Sequence, residues 1–289
     1  DLSDDLYTVV VNTKTVVSGG FEEAWISDAE IESVSRQRVA RDELHSKAAD
    51  LLPQFLIYVL MTAISATVAT AGVLLDSLPV MVGAMVIAPL LGPSMATSAA
   101  TVIYDEGLFV ESTKYQMTGL LVALASSVAF ALVVKAFAVP SSAVDIQSSL
   151  ATSNHTSPTF LLVAVALCAG MAGAVSLSTS GLTSLVGVMI AAAIMPPIGV
   201  VGVAIAWAHP TVVLGSSAVV LVNIFSINAA AIVCLWYLGY HPTDWRALRE
   251  TRSRMLKRVL LLVALTAGLA MFLAELDGTT LPLLTGVIR

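Results

Sequence analysis

Apolar residues in this chain fall in long, nearly unbroken stretches separated by short polar segments. A bilayer-spanning helix needs about 20 mostly apolar residues. Seven stretches meet that length: Leu52–Leu75, Pro79–Ile103, Thr118–Val139, Thr159–Leu177, Leu182–Ala208, Thr211–Leu238 and Met255–Ala274. The first is not expected to be a cleaved signal peptide, because about 50 polar residues precede it and no small-residue cleavage site follows a short apolar core. Residues 1–50 read differently. Tyr7–Val11 and Lys14–Val17 predict two short strands around Asn12-Thr13, and Ser27 with Glu30 forms a capping box opening a helix to about Asp50. Ile31, Val34, Leu44 and Ala48 share one face of that helix. Two strands and a helix are too little for an independent core.

Composition supports this reading. Of the 289 residues, 57% are apolar and 12% charged, with a mean hydropathy of +0.89. Soluble domains carry roughly 25% charge. The two cysteines, Cys168 and Cys234, lie inside apolar stretches and read as small buried hydrophobes. The basic residues set an orientation. Arg36, Arg38, Arg41 and Lys47 precede span 1, Lys114 lies between spans 2 and 3, and Arg246, Arg249, Arg252, Arg254, Lys257 and Arg258 lie between spans 6 and 7. The opposite loops, Asp76-Ser77, Pro140–Pro158 and His209-Pro210, are nearly bare of Lys and Arg. By the positive-inside rule the N-terminus is cytoplasmic and the C-terminus outside. Lys135, near the outer end of span 3, is expected to snorkel.

The chain also contains an internal repeat. Residues 82–95 read VGAMVIAPLLGPSM and residues 186–199 read VGVMIAAAIMPPIG. At an offset of 104, Val82, Gly83, Met85, Ala88 and Pro93 fall on Val186, Gly187, Met189, Ala192 and Pro197. The likeness reaches back, with a one-residue gap, to FLIYV from Phe55 against FLLVA from Phe160, and less closely forward to Ser127 against Ser226. Each unit has three spans, an odd number, so the second copy enters the bilayer from the opposite side. Inverted repeats of this kind build many secondary transporters. The expected architecture is an all-α polytopic membrane protein. It comprises a small α+β cytoplasmic N-terminal segment (1–50), repeat unit 1 (51–139), repeat unit 2 (159–238), and a final region (239–289). That last region holds a basic amphipathic segment, Thr243–Lys257, a seventh transmembrane helix, and an outer apolar tail, Leu281–Ile288.

The middle span of each unit carries helix breakers: Pro89, Gly92 and Pro93 in span 2, and Pro196, Pro197 and Gly199 in span 5. Proline removes a backbone donor and crowds the preceding turn. The freed carbonyls must be covered by neighbouring helices or line a wet cavity. Both spans are therefore expected to break, the two breaks meeting near mid-bilayer. Span 6 adds Asn223, Ser226 and Asn228, with the first two on one face. Ser94, Thr97 and Ser126-Ser127 are weaker candidates of the same kind. Each has a plainer reading, as a packing kink or as interhelical hydrogen bonding worth about 0.6 kcal/mol per contact. Gly170-Met-Ala-Gly173 and Gly199-Val-Val-Gly202 read first as close-packing surfaces.

No Asp, Glu, His or Arg falls near the middle of a span, which argues against proton relays through buried carboxylates. Metal-ligand spacing, a Walker motif and a catalytic pair are all missing from the sequence, so no catalytic residue, metal or cofactor is expected. The expected function is a transporter or channel-like protein with an uncharged polar site, taking a small neutral solute or an ion. Membrane lipid and further copies of the chain are the expected partners, and nucleic acid is not. The alternative is an oligomeric scaffold or sensor acting through its cytoplasmic N-terminal region. Asn154-His155-Thr156 fits the glycosylation pattern in an outer loop.

Three motifs carry a family resemblance. VGAMVIAPLLGPSMATSAA in span 2, VGVMIAAAIMPPIGVVGVAIA in span 5 and LVNIFSINAAAIVCLWYLGYHP ending span 6 resemble a bacterial and archaeal family of uncharacterised hydrophobic-domain proteins, domain of unknown function 389. The resemblance covers about Leu44 to Pro242. It implies a polytopic membrane domain, often with a soluble N-terminal extension, and brings no settled activity, substrate or catalytic residue with it.

Overall fold

The computed structural model of the chain describes residues 42–137, 160–178, 183–240, 253, 255–265, 267 and 268. The expected strands of residues 7–17, the capping box at Ser27, the stretch from Pro140 to Pro158, most of the basic segment from Thr243 and the tail from Leu281 lie outside the described residues. Within them all regular structure is helical: α1 (42–50), α2 (Phe55–Leu74), α3 (Leu78–Ile87), α4 (Leu91–Ile103), α5 (Glu106–Phe137), α6 (Phe160–Ser178), α7 (Thr183–Ala206), α8 (Pro210–Tyr237) and α9 (255–265). Five of these, α2, α5, α6, α7 and α8, are long and apolar enough to cross a bilayer, and α3 with α4 forms a sixth candidate bent by 51°. Among the described residues the protein is all-helical, and its apolar helices make it a membrane-embedded protein.

α7 and α8 form the centre, with 78% of their apolar window buried, while α5 buries 22% and turns most of its surface outward. Small residues set how closely the helices approach. α5 buries Gly119, Ala123, Ser127 and Ala131, one per turn, a ridge of the kind that lets helices meet backbone to backbone. Gly170 of α6 lies against the Ile227 backbone of α8, and Gly173 against the Met95 side chain of α4, so the Gly170–Gly173 pair is a close-packing surface. Gly199 of α7 packs on the Ala69 backbone of α2.

The break in span 2 falls at residues 88–90. Ala88 is extended (φ −68°, ψ 118°), the conformation favoured before proline. Pro93 is the third residue of α4, where a missing N–H leaves no intrahelical bond unmade. Span 5 differs from expectation: α7 runs unbroken through Pro196 and Pro197. The reason lies across the interface. Pro197 offers no N–H to the Ala193 carbonyl one turn earlier, and Asn223 Nδ2 of α8 donates to that carbonyl at 2.6 Å instead. A side chain from a neighbouring helix replaces the lost backbone donor, and φ near −65° suits the helix.

Two connections are nearly identical. After α4, Tyr104 is left-handed (φ 64°), Asp105 N–H donates to Ala100 C=O at 2.9 Å, and Phe109 N–H donates to Asp105 C=O at 3.1 Å. After α7, Ala208 is left-handed (φ 59°), His209 N–H donates to Ala204 C=O at 2.8 Å, and Val213 N–H donates to His209 C=O at 3.1 Å. Such bonds from a residue just past a helix cover its last carbonyls. Asp105 also caps α5, its carboxylate accepting from Leu108 N–H at 2.8 Å. At the far end of α5, Lys135 Nζ donates to the Ala206 carbonyl at 2.6 Å and lies over the Trp207 ring, so it finishes α7.

Candidate functional site

α4 is short and rich in hydroxyls. Ser94, Thr97, Ser98 and Thr101 follow the spacing of one helical face and are all buried. Three of these hydroxyls donate one turn back: Thr97 to Pro93 C=O at 2.8 Å, Ser98 to Ser94 C=O at 2.9 Å and Thr101 to Thr97 C=O at 2.8 Å. Neighbouring helices extend the polar surface. Gln116 Nε2 of α5 donates to Ser94 Oγ at 3.3 Å, and Gln116 Oε1 accepts from Asn228 Nδ2 of α8 at 3.4 Å. Ser112 Oγ of α5 lies 3.0 Å from Thr97 Oγ1, and Ser98 Oγ lies 3.4 Å from the Asn228 carbonyl. At the Tyr104 end of α4, the Arg258 guanidinium of α9 donates to Thr101 Oγ1 at 3.1 Å and stacks 3.9 Å from the Phe109 ring centre. Together these groups form a polar lane running along α4 from the span 2 break to Arg258.

At the break end the lane meets a cavity of about 20 Å³ lined by Tyr58, Pro93, Ser94, Gln116, Gly119 and Ile194, among others. That is room for about one water molecule. Several polar atoms are left over. Tyr58 Oη, which lines the cavity, has no hydrogen-bond partner beyond its neighbour Thr62, and Asn223 Oδ1 and Asn228 Oδ1, outside the cavity lining, are buried and unpaired. Such groups are costly in an apolar medium. On the side toward α7 and α8 the cavity wall is apolar, formed by Ile194, Ile198 and Ile224. Beyond the other end of the lane lies an open hollow of about 410 Å³ between α1 and the α4–α5 turn, lined by Asp42, His45, Ile103, Tyr104, Asp105 and Glu106. His45 Nε2 is 3.0 Å from Asp105 Oδ2 there. Among the described residues no three His, Cys, Asp or Glu side chains gather to hold a metal.

The tip of Tyr58 rests on Gly119, where any Cβ would run into it. Gly119→Ala is therefore expected to destabilise the protein by about 1–3 kcal/mol through overpacking. Tyr58→Phe alone is expected to be near neutral, because the lost hydroxyl has no partner beyond Thr62, and to recover part of the loss when combined with Gly119→Ala. Thermal midpoints of the three variants in detergent check this; equal midpoints for Gly119→Ala and wild type would contradict it.

Of the residues singled out from sequence, Pro93 and Ser94 line the cavity, and Asn228 joins Ser94 through Gln116. Pro89 lies in the break, and Gly92 sits against the Leu51 carbonyl. Thr97 lies within the lane, while Ser127 forms a separate knot, 2.7 Å from Thr70 Oγ1 and donating to Ile198 C=O at 3.2 Å. Asn223 serves the α7 backbone. Pro196, Pro197 and Gly199 belong to the α7 packing surface, and Ser226 is buried in α8 away from the cavity lining. Sequence reasoning missed Tyr58, Ser98, Thr101, Ser112, Gln116 and Arg258. The one readable signal was the helical spacing that carries Ser94 and Thr97 on to Ser98 and Thr101.

Residues 85–229 match the family described as Domain of unknown function (DUF389). The chain is 31% identical over 260 residues to the uncharacterized protein MJ0678 of Methanocaldococcus jannaschii, an alignment that covers 90% of this chain and 76% of the relative. No solved structure matches significantly.

Proposed function

This chain belongs to the DUF389 family, and on that premise we propose that it is a transporter or channel-like membrane protein for a small, uncharged, hydrogen-bonding solute. The observation that carries the reading is the buried polar lane along α4, with the Asn228 amide oxygen unpaired within it and the Tyr58 phenol at the cavity at its end. A protein that only had to fold in lipid would gain by filling these positions with apolar side chains. The lane is lined by hydroxyls and amides, and the charges of Arg258, Asp105 and Glu106 stand at its mouth. That chemistry suits a neutral solute better than a desolvated ion.

The reading takes the two units as inverted copies. Support comes from the paired connections: Tyr104 and Ala208, Asp105 and His209, and Phe109 and Val213 are each 104 residues apart, the offset of the sequence motif, and make matching bonds. Continued through α5 and α8, that offset pairs Ser112 with Ser216, both buried, and sets Ser127 against Ala231 rather than Ser226. With Lys and Arg taken as inner-side markers, the lane opens inward and the apolar wall of Ile194, Ile198 and Ile224 faces outward.

Proteoliposomes subjected to an osmotic gradient of glycerol, urea or a small polyol are expected to equilibrate faster than empty vesicles. Gln116→Leu, which removes two of the bonds that hold the lane together, is expected to slow that flux about tenfold or more. Movement of ions with no movement of neutral solutes would overturn the solute class. A folded wild-type protein that moves neither would overturn transport itself.

A further inference from the structure

The two units contain the same interrupted motif in two shapes, and two differences bear on the break: Pro89 stands where unit 2 has Ala193, and Gly119 stands where unit 2 has Asn223. In unit 1, the carbonyl that Pro93 leaves without a backbone donor is that of Pro89, within the 51° break. Its counterpart at the offset of 104 is Ala193, left without a donor by Pro197. In unit 2 that carbonyl accepts from Asn223 Nδ2 at 2.6 Å and the helix is unbroken. The counterpart of Asn223 in unit 1 is Gly119, which has no side chain to offer and carries the Tyr58 hydroxyl against its backbone. Where the amide is present and no proline stands at the position of Pro89 the helix is unbroken, and where the amide is missing and Pro89 is present the segment is bent.

We infer that α7 is a closed hinge: Asn223 clasps the Ala193 carbonyl, and release of the clasp lets α7 bend at residues 192–194 as the α3–α4 pair already does. This rests on the inverted-repeat transport reading. The outer arm of α7, residues 195–206, carries Ile198, which together with Ile194 and Ile224 closes the outward wall of the cavity. Bending at 192–194 moves Ile198 away from that wall and opens the cavity to the outer side. Closing the clasp restores the wall. The hinge is thus the outer gate of the lane, at the end opposite Arg258.

The clasp makes a sharp genetic prediction. An alanine at 197 restores a backbone N–H that can bond the Ala193 carbonyl, so the straight helix no longer needs Asn223. In a background with Cys168→Ser and Cys234→Ser, Ile198→Cys is labelled from the outer face of intact cells with a membrane-impermeant maleimide. Asn223→Ala is expected to raise the labelling rate about five- to tenfold, the effect of losing one buried hydrogen bond. Pro197→Ala alone is expected to lower it, and Pro197→Ala combined with Asn223→Ala to return it to or below the starting rate. Labelling that does not respond to Asn223→Ala in folded protein, or that Pro197→Ala fails to reverse, overturns the hinge. Should Asn223→Ala alone fail to fold, the comparison of Pro197→Ala with the parent decides: an unchanged or raised rate overturns the hinge. Labelling does not depend on any solute moving. A responsive hinge without flux would sink the transport reading alone, and flux with an unresponsive hinge would sink the hinge alone.

Discussion

Gly170→Ala is expected to lower stability by about 3 kcal/mol, a drop on the order of 10 °C in thermal midpoint. A Cβ at this position would run into the carbonyl oxygen of Ile227 and lie 2.9 Å from its carbonyl carbon and Cα. These are backbone atoms of the central helix α8, so no rotamer change relieves the contact and the two helices must separate. Separation also loosens the adjacent Gly173–Met95 contact, and Met95 is fully buried. Gly83→Ala is the matched control. Nothing lies within 4 Å of a Cβ there, so only helix propensity changes, and the midpoint is expected to hold or rise slightly. Midpoints of both variants in the same detergent settle the comparison, and a Gly170→Ala protein as stable as wild type would mean that α6 and α8 do not cross as described.

The second large effect is expected at Gly202, where α7 crosses α5. An added Cβ would run into Ser127 Oγ and sit 2.7 Å from its Cβ. Ser127 is no free side chain: it bonds Thr70 Oγ1 of α2 and the Ile198 carbonyl of α7. Gly202→Ala is expected to cost about 2–3 kcal/mol, through crowding and the loss of both bonds in a dry environment. Ser127→Ala removes the bonds without the crowding and is expected to cost about 1 kcal/mol. Equal midpoints for the two variants would show that hydrogen bonding, not contact distance, dominates this crossing.

Helix positions were largely legible because long apolar stretches have few alternatives in lipid. The span 2 break was legible too, since Pro89 stands where no local group can replace its N–H. The unbroken course of α7 was not. Its explanation is Asn223, 30 residues away, and nothing in the local pattern of Pro196-Pro197 reports a donor on another helix. Gln116 was lost for a different reason. Glu111 and Lys114 end the apolar stretch, so the span was placed from Thr118, yet α5 begins at Glu106. Charge stops a helix from being lipid-soluble without stopping it from being a helix. The lane was half visible: Ser94 and Thr97 stood out beside the prolines, whereas Ser98 and Thr101 gain their meaning only from the helices packed against them.

The length of α5 has a mechanical consequence. Its 32 residues extend about 48 Å, whereas the hydrocarbon slab is about 30 Å thick. The apolar part of α5, Thr118 to Phe137, matches that slab, so the charged end from Glu106 to Lys114 projects beyond it. The left-handed turn at Tyr104 joins it to α4 without slack, so a change of tilt swings the hydroxyl-lined face of α4 with it. A pull on the projecting end would thereby reach the site through a lever rather than through a ligand.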